Sequence, residues 1–395
     1  MAKFRRLLGI ALMFYSCLLT TSKTLKSNSA DQQDDVVNDY LTLRLVSTVV
    51  FRHGDRTMDK INRESYPNDP YNGRSFYPVG DGDLTNTGKK RAYELGLLLR
   101  NKYHKFLGDL YYPSNVYARS TWVTRTKMTL QLVLAALYPP VEIQKWNSEL
   151  PWQPVDMIYY PMNEDDLLFP IKCSIYHDTY KNVIQNAEVK KKIDQYDNLM
   201  EITSKYTGTN ITNLLDLARL YGVLHSELSM GLTLPNWTQN IFPDGELLNA
   251  TLLLFDLLSY DQLNNLNGGI LINDMNKVIN GTLHRKINLF SAHDINVFGL
   301  LLALNVSEQH LPEFTSSVII ELHERNEKFF VKILHYLGIP PKILEISIPG
   351  CEVLCPYDKF IELTKNTTGL FKQSCYPDNQ KISKPYISTP FDDKN

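Results

Sequence analysis

Three polar clusters in the chain carry side chains suited to a tetrahedral oxyanion. They are Arg52-His53-Gly54-Asp55-Arg56-Thr57, Arg119 with Ser120-Thr121, and His293-Asp294. Of the six residues Arg52, His53, Arg56, Arg119, His293 and Asp294, five are Arg or His. That excess points to phosphate, because a guanidinium fork matches two phosphate oxygens at once and an ammonium does not. His53 stands between two arginines, whose charge disfavours the imidazolium and leaves a neutral, nucleophilic ring. Attack on phosphorus would divide one hard displacement into two easier ones through a phosphohistidine. The leaving alkoxide needs a proton, and Asp294 is placed to supply it. Arg52, Arg56, Arg119 and His293 would then stabilise the equatorial oxygens, so no metal or organic cofactor is called for.

Taken singly, each cluster has a plainer reading. Arg-His-Gly fits a surface turn, His293-Asp294 a helix cap, and Arg119 the partner of a carboxylate. Arg125 reads as a structural ion-pair residue. His104, His177, His225, His284, His310, His323 and His335 read as surface or packing residues.

The elements before each cluster decide whether the clusters meet. Residues 43–51 form a β-branched, apolar run expected to be a buried parallel strand. Residues 58–82, rich in Pro, Asn, Asp, Gly and Tyr, read as a long surface loop. A helical stripe follows over 87–107, with Ala92, Leu95, Leu99 and Tyr103 on one face. Next come a short strand at 115–118 and a helix capped by Ser120 or Thr121, whose N-terminus could add backbone donors. Residues 287–292 and 296–304 repeat strand then helix, and 316–324 and 328–337 read as strands. This is an α/β pattern with a parallel-rich central sheet flanked by helices, and such sheets bind ligands at the carboxyl ends of their strands. Residues 152–285 interrupt it with helical segments at 179–195, 211–227 and 244–266 and no clear strand. The expected organisation is therefore an α/β part at 40–151, a helical cap insert at 152–285, and a second α/β part at 286–380.

Arg52-His53-Gly54-Asp55-Arg56-Thr57 resembles the signature of the histidine acid phosphatases, the prostatic, lysosomal and insect venom type within the histidine phosphatase superfamily. Leu84-Thr85 with Gly88, Tyr93-Glu94-Leu95-Gly96, Val116-Tyr117-Ala118-Arg119-Ser120-Thr121, Ser291-Ala292-His293-Asp294 and Gly350-Cys351 with Cys355-Pro356 are similar to further family blocks. The resemblance spans about 43–375. It implies an acid phosphatase with His53 as nucleophile, Asp294 as proton donor, and Arg52, Arg56, Arg119 and His293 as phosphate ligands. It also implies small phosphate monoesters as substrates and a homodimer. The chain departs from the family at Met58, where Pro is usual, at Trp122 and Thr124, where acidic residues are usual, and at Ile295 and Asn296, which replace a Thr pair. These positions surround the pocket and bear on substrate preference. The inositol-polyphosphate branch tends to carry His-Ala-Glu where this chain has His-Asp. A small-ligand-binding protein with reduced turnover on the same scaffold is the alternative from another class.

Composition agrees with an extracellular enzyme. The formal charge of −2 provides no basic field for nucleic acid. Lys3, Arg5 and Arg6 precede an apolar run too short to span a bilayer, so 1–22 reads as a cleaved signal peptide. The expected location is outside the cell, ahead of the lysosomal lumen, with no membrane anchor after cleavage. Cys173, Cys351, Cys355 and Cys375 remain, which allow three pairings. The short loop between Gly350 and Pro356 favours Cys351–Cys355, leaving Cys173–Cys375. Cys351 and Cys355 could alternatively ligate a metal, but no second Cys/His pair sits at ligand spacing. Asn210, Asn236, Asn249, Asn280, Asn305 and Asn366 head Asn-x-Ser/Thr sequons, all beyond residue 200, and mark an expected glycosylated half.

Overall fold

The computed structural model describes residues 41–172, 174–260, 262–277, 279, 285–306 and 310–368. β1 (Thr42–Arg52) lies inside an eight-stranded sheet, between β4 (Ile287–Ala292) on one side and β5 (Ser317–Arg325) on the other. Its apolar and β-branched residues, most of them buried from Leu45 on, suit a strand covered on both faces. Val46, Val49 and Phe51 pack on one face against Leu95, Leu99 and Tyr103 of α1 (Asn86–Leu107) and Leu130 and Val133 of α2 (Thr124–Leu137). Val50 faces the opposite layer, which contains Val297 and Leu300 of the helix that follows β4. The two-residue period of a strand divides these side chains between the layers.

The strand order is β3-β2-β4-β1-β5-β6-β7, with β2 at Val116–Ser120, β3 at Ile158–Tyr159, β6 at Lys328–Tyr336 and β7 at Ile343–Ile346; β8 (Leu354–Pro356) also pairs with β6. β3, β2, β4 and β1 run parallel, whereas β5 to β8 pair antiparallel. The hairpin between β5 and β6 turns on Asn326 and Glu327, both at positive φ, as a two-residue connection requires. The α/β class therefore holds, with its parallel part on the side where the three clusters end.

Between β3 and β4 the chain is mostly helical: α3 (Ser174–Gln185), α4 (Ala187–Asp194), α5 (Asp197–Thr207), α6 (Leu214–Ser229), α7 (Glu246–Leu258), α8 (Gln262–Asn264) and α9 (Ile270–Lys277). Leu199, Leu217, Leu224, Leu247 and Leu254 form a core of their own, joined by Met58 and Tyr66. The 58–82 segment is thus partly buried rather than a free surface loop. α10 (Asp294–Ala303) and α11 (Tyr357–Thr368) complete the described helices.

Several local expectations need correction. The helix expected at 179–195 breaks at Asn186, whose side chain accepts from the N–H groups of Glu188 and Val189 and caps α4. The helix expected at 244–266 ends at Leu258. Two residues of β3 extend the sheet inside the segment read as strand-free, a length below what periodicity can detect. α2 is capped at Val123, not at Ser120 or Thr121. The hydroxyls of Ser120 and Thr121 instead meet Thr126 Oγ1 at 3.0 and 2.7 Å.

Cys351 and Cys355 are joined as expected. Cys173–Cys375, Asn280 and the 1–22 segment lie outside the described residues. The sequon asparagines Asn210, Asn236, Asn249, Asn305 and Asn366 are all exposed. Among the described residues, no helix is long and apolar enough to cross a membrane.

Candidate active site

The parallel strands deliver all three clusters to one place. β1 and β4 end in register, Arg52 opposite Ala292, and the His53 N–H donates to the Ala292 carbonyl at 3.1 Å. His293 therefore follows beside His53, their rings edge to face at 5.6 Å. β2 ends one strand further over, with Arg119 opposite Phe290. The loop after β1 sits tightly on α1: a Cβ on Gly54 would meet the Gly88 carbonyl oxygen at 2.4 Å, and one on Gly88 would meet the Asp55 oxygen at 2.0 Å. Only glycine permits that approach. The Gly54 N–H is in turn received by Thr129 Oγ1 at 3.1 Å.

The orientation of His53 is fixed by one contact. Its Nδ1 lies 2.9 Å from the Gly54 carbonyl oxygen, which can only accept. Nδ1 therefore carries the hydrogen, and Nε2 keeps its lone pair. The ring is buried, and burial together with the charges of Arg125, Arg52, His293 and Arg56 holds its pKa well below the ordinary value. His293 is pushed down to about 3, by burial first and then by Arg125, with Asp294 opposing. His293 is therefore neutral at mildly acid pH, and burial and the neighbouring cations favour the neutral form of His53.

Each arginine has a carboxylate partner. Arg52 Nη2 pairs with Asp294 at 2.9 Å, while Nη1 donates to the Pro312 carbonyl at 2.7 Å and the guanidinium lies over the Phe314 ring. Arg56 is gripped in bidentate fashion by Glu64 and also donates to Ser226 Oγ at 3.2 Å. Arg119 donates to Asp165 at 2.5 Å and lies over the Tyr160 ring. Arg125 Nη1 donates to Asp59 at 2.9 Å. Burial works against the charge of Asp294, but Arg52 and His293 outweigh it and hold the carboxyl below the usual range. Its side chain remains 26% exposed, open to a ligand.

Arg52, His53, Arg56, His293 and Asp294 converge here, and Arg119 lies at the end of the next parallel strand. Sequence reasoning missed their supports Glu64, Asp59, Asp165 and Ser226, and it read Thr121 as a helix cap, whereas its hydroxyl lies 3.2 Å from His293 Nε2. It also placed His225 among ordinary packing residues. His225 stacks on Phe314 at 4.8 Å and pairs with Glu313 at 3.2 Å, at the edge of the Arg52 contact. Asp59 and Glu64 lie in the irregular segment after β1, and Asp165, Ser226 and His225 come from distant segments, so no regular spacing points to them. Of the departures from the family pattern, Met58 is buried in the helical core and Trp122 packs against Tyr159. Asn296 is buried, accepts from the His293 N–H at 3.1 Å and donates to the Leu168 carbonyl at 3.0 Å, so it secures His293. Among the described residues, no group of three or more His, Cys, Asp or Glu side chains could hold a metal ion.

An α/β sheet with a His and Arg cluster at its parallel strand ends defines a phosphoryl-handling protein of the histidine phosphatase kind. The profile of the Histidine phosphatase superfamily (branch 2) matches residues 42–336, and the chain belongs to that family. It is 45% identical over 325 residues to the venom acid phosphatase of Apis mellifera, covering 80% of this chain and 84% of that one. It is 35% identical to the prostatic acid phosphatase of Bos taurus, covering 81% and 84%. Within the family it stands with the acid phosphatases. A solved phytase of Klebsiella sp ASR1 shares the fold at a TM-score of 0.62 and 18% identity, covering 83% of this chain and 96% of that one.

Proposed function

We propose that this protein hydrolyses small phosphate monoesters through a phosphohistidine on His53, outside the cell and without a metal. The observation that carries this reading is the His53 ring: Nδ1 is committed to the Gly54 carbonyl, which leaves Nε2 free on a ring acted on by the charges of Arg125, Arg52 and Arg56 and edge to face with His293. In the first step the proton carried by the monoanionic ester passes to Asp294 and from it to the leaving oxygen as Nε2 attacks phosphorus and the ester P–O bond breaks. In the second, Asp294 takes a proton from water, which displaces the phosphoryl group from Nε2. Arg52, Arg56, Arg119 and His293 hold the three equatorial oxygens through both steps and supply the charge a metal would otherwise bring.

Asp294 is ionised in the ligand-free site at mildly acid pH, because Arg52 and His293 hold its pKa low. The proton for the leaving group therefore arrives on the substrate. A monoanionic ester beside ionised Asp294 contains the same number of protons as a dianion beside the protonated acid. A phosphate monoester loses its second proton at about pH 6, so kcat/KM should rise as pH falls through that value. Apolar run, cysteines and exposed sequons together support a secreted glycoprotein, and the helices between β3 and β4 a cap that selects the alcohol part. A homodimer is part of the same reading.

Hydrolysis of a chromogenic aryl phosphate at about pH 5 by the parent and His53→Ala tests it. The expected result is turnover in the parent, unchanged by a chelator, and a loss of at least about a thousandfold in the variant. Comparable turnover by a well-folded His53→Ala protein would rule the reading out.

A further inference from the structure

Trp122 takes a place at which the family usually carries an acidic residue, and no step at His53 or Asp294 uses it. It belongs to a short rim, 121–125, that crosses the end of β2 beside the catalytic cluster. At one end of the rim Thr121 sets its hydroxyl 3.2 Å from His293 Nε2 and donates its N–H to the Ser291 carbonyl at 3.2 Å. At the other end Arg125 Nη1 donates to Asp59 at 2.9 Å. Both ends are fastened to segments that carry site residues, so the side chains between them stand at the edge of the site. Thr124, the other departure in the rim, is exposed as well.

Sheet register brings a second ring to the same place. β3 pairs parallel with β2 and sets Tyr159 opposite Ser120. Trp122 and Tyr159 meet edge to face, their centroids 5.6 Å apart. Lys127, in the first turn of α2, holds its Nζ 4.7 Å from the Tyr159 centroid and 5.3 Å from that of Trp122. One cation shared by two rings fixes the pair. Even so, Trp122 is 47% exposed and Tyr159 45%. A single exposed ring is ordinary, but two in contact beside a phosphate site form a continuous apolar face. The next residue, Tyr160, lies under the Arg119 guanidinium at 4.4 Å, so the end of β3 reaches both the rim and a proposed phosphate ligand.

We propose that Trp122, backed by Tyr159 and Lys127, is a specificity-determining residue: its open face takes an aromatic ring in the alcohol part of the ester, so aromatic phosphate monoesters are favoured over aliphatic ones. The proposal rests on the reading that phosphate monoesters bind and are cleaved at His53, and it names their class. The arginines and His293 suit only the phosphoryl end, which leaves the alcohol part to meet the rim. An acidic side chain at 122 would present charge there; the indole presents a flat apolar face instead. A ring set against it gains its buried area together with the edge-to-face or offset contact that aromatic pairs prefer. Lys127 adds a positive charge beside that face, which also suits an anionic ester.

Aromatic esters also have better leaving groups, so turnover alone mixes recognition with reactivity. The test is therefore competitive inhibition at about pH 5 by benzylphosphonate, whose C–P bond is not hydrolysed, and by ethylphosphonate, which lacks the ring. The quantity read is the ratio of the two inhibition constants, in which any general damage to the phosphate site cancels. The parent should bind benzylphosphonate more tightly by at least about threefold, and Trp122→Ala should lower that preference by about three- to tenfold. Trp122→Phe keeps a ring and should stay within about twofold of the parent, whereas Trp122→Asp should fall at least as far as Trp122→Ala. No preference for benzylphosphonate in the parent, a comparison that needs no variant to fold, would overturn the proposal. So would a parental ratio in folded Trp122→Ala. His53→Ala, assayed beside them, separates the two levels. An inactive His53→Ala with a parental ratio in Trp122→Ala removes only the ring site. Turnover by His53→Ala with a lowered ratio in Trp122→Ala removes the phosphohistidine and keeps the ring site.

Discussion

Two groups of partly or fully buried carboxyls lie close together in this protein and behave in opposite ways. At the strand ends, Asp294 and Glu64 face Arg52 and Arg56. Where the 58–82 segment meets α6, Glu227 and Asp69 face each other with Tyr66 beside them. Both settings are desolvated, which favours the neutral acid. The arginines reverse that preference for Asp294, whereas burial and the Asp69 charge reinforce it for Glu227. Glu227 is fully buried and shares a hydrogen bond with Asp69, which also raises its pKa. The difference shows what the arginine cluster does: it converts a burial penalty into fixed charge at the strand ends. It also puts a proton-sharing pair one residue away from Ser226, which touches Arg56.

The comparison can be tested most severely at the strand ends. Asp294→Asn should lower kcat by about 10²–10⁴-fold for an alkyl phosphate, whose leaving group needs a proton. The loss should be smaller for an aryl phosphate with a good leaving group, and equal losses for the two esters would deny Asp294 the acid role. Next in size is Asp165→Asn. Asp165 is wholly buried and receives both the Arg119 guanidinium and the Leu168 N–H, so the variant leaves a buried charge short of its partner. Breaking such a pair costs about 3–5 kcal/mol, to be read as a lower Tm together with a raised KM. A variant with parental Tm and KM would show that Arg119 does not depend on it.

The smallest effect on activity belongs to the other region. The folded-state pKa of Glu227 is raised, so the folded protein holds more protons than the unfolded chain at pH values above the ordinary carboxyl range. Stability contributed by that proton is present at acid pH and declines as pH rises toward the folded-state value. Glu227→Gln should flatten this decline, giving a Tm that falls less than the parent's between about pH 5 and pH 8, with activity at about pH 5 changed by less than about threefold. A Tm profile parallel to the parent's would mean that Glu227 is not protonated in the fold.

How much of this was legible in the sequence follows the same division. The six candidate residues were readable because each lies at or just beyond a strand end, and the periodicity of β1, β2 and β4 located those ends to within two residues. The α/β class followed from the alternation of strand and helix. The antiparallel half of the sheet was visible as strands but not as a direction, since direction depends on which neighbour each strand meets. The carboxylates behind the arginines were invisible because Asp59, Glu64 and Asp165 lie in irregular segments, where no spacing relates them to Arg125, Arg56 and Arg119. Asn296 shows the converse. It looked like a departure from the family pattern at the pocket, yet its amide bridges His293 and Leu168 and keeps the site in place.

The central claim is that phosphorus becomes bonded to His53, and rapid-quench labelling tests that most directly. An aryl phosphate carrying labelled phosphorus would be mixed with the enzyme at about pH 5, quenched in alkali within one turnover, and the labelled peptide sequenced. The expected result is an acid-labile, alkali-stable label on His53 that forms and decays at rates compatible with turnover and is absent from His53→Ala. Steady hydrolysis by the parent with no such label, or with the label on another residue, would contradict it.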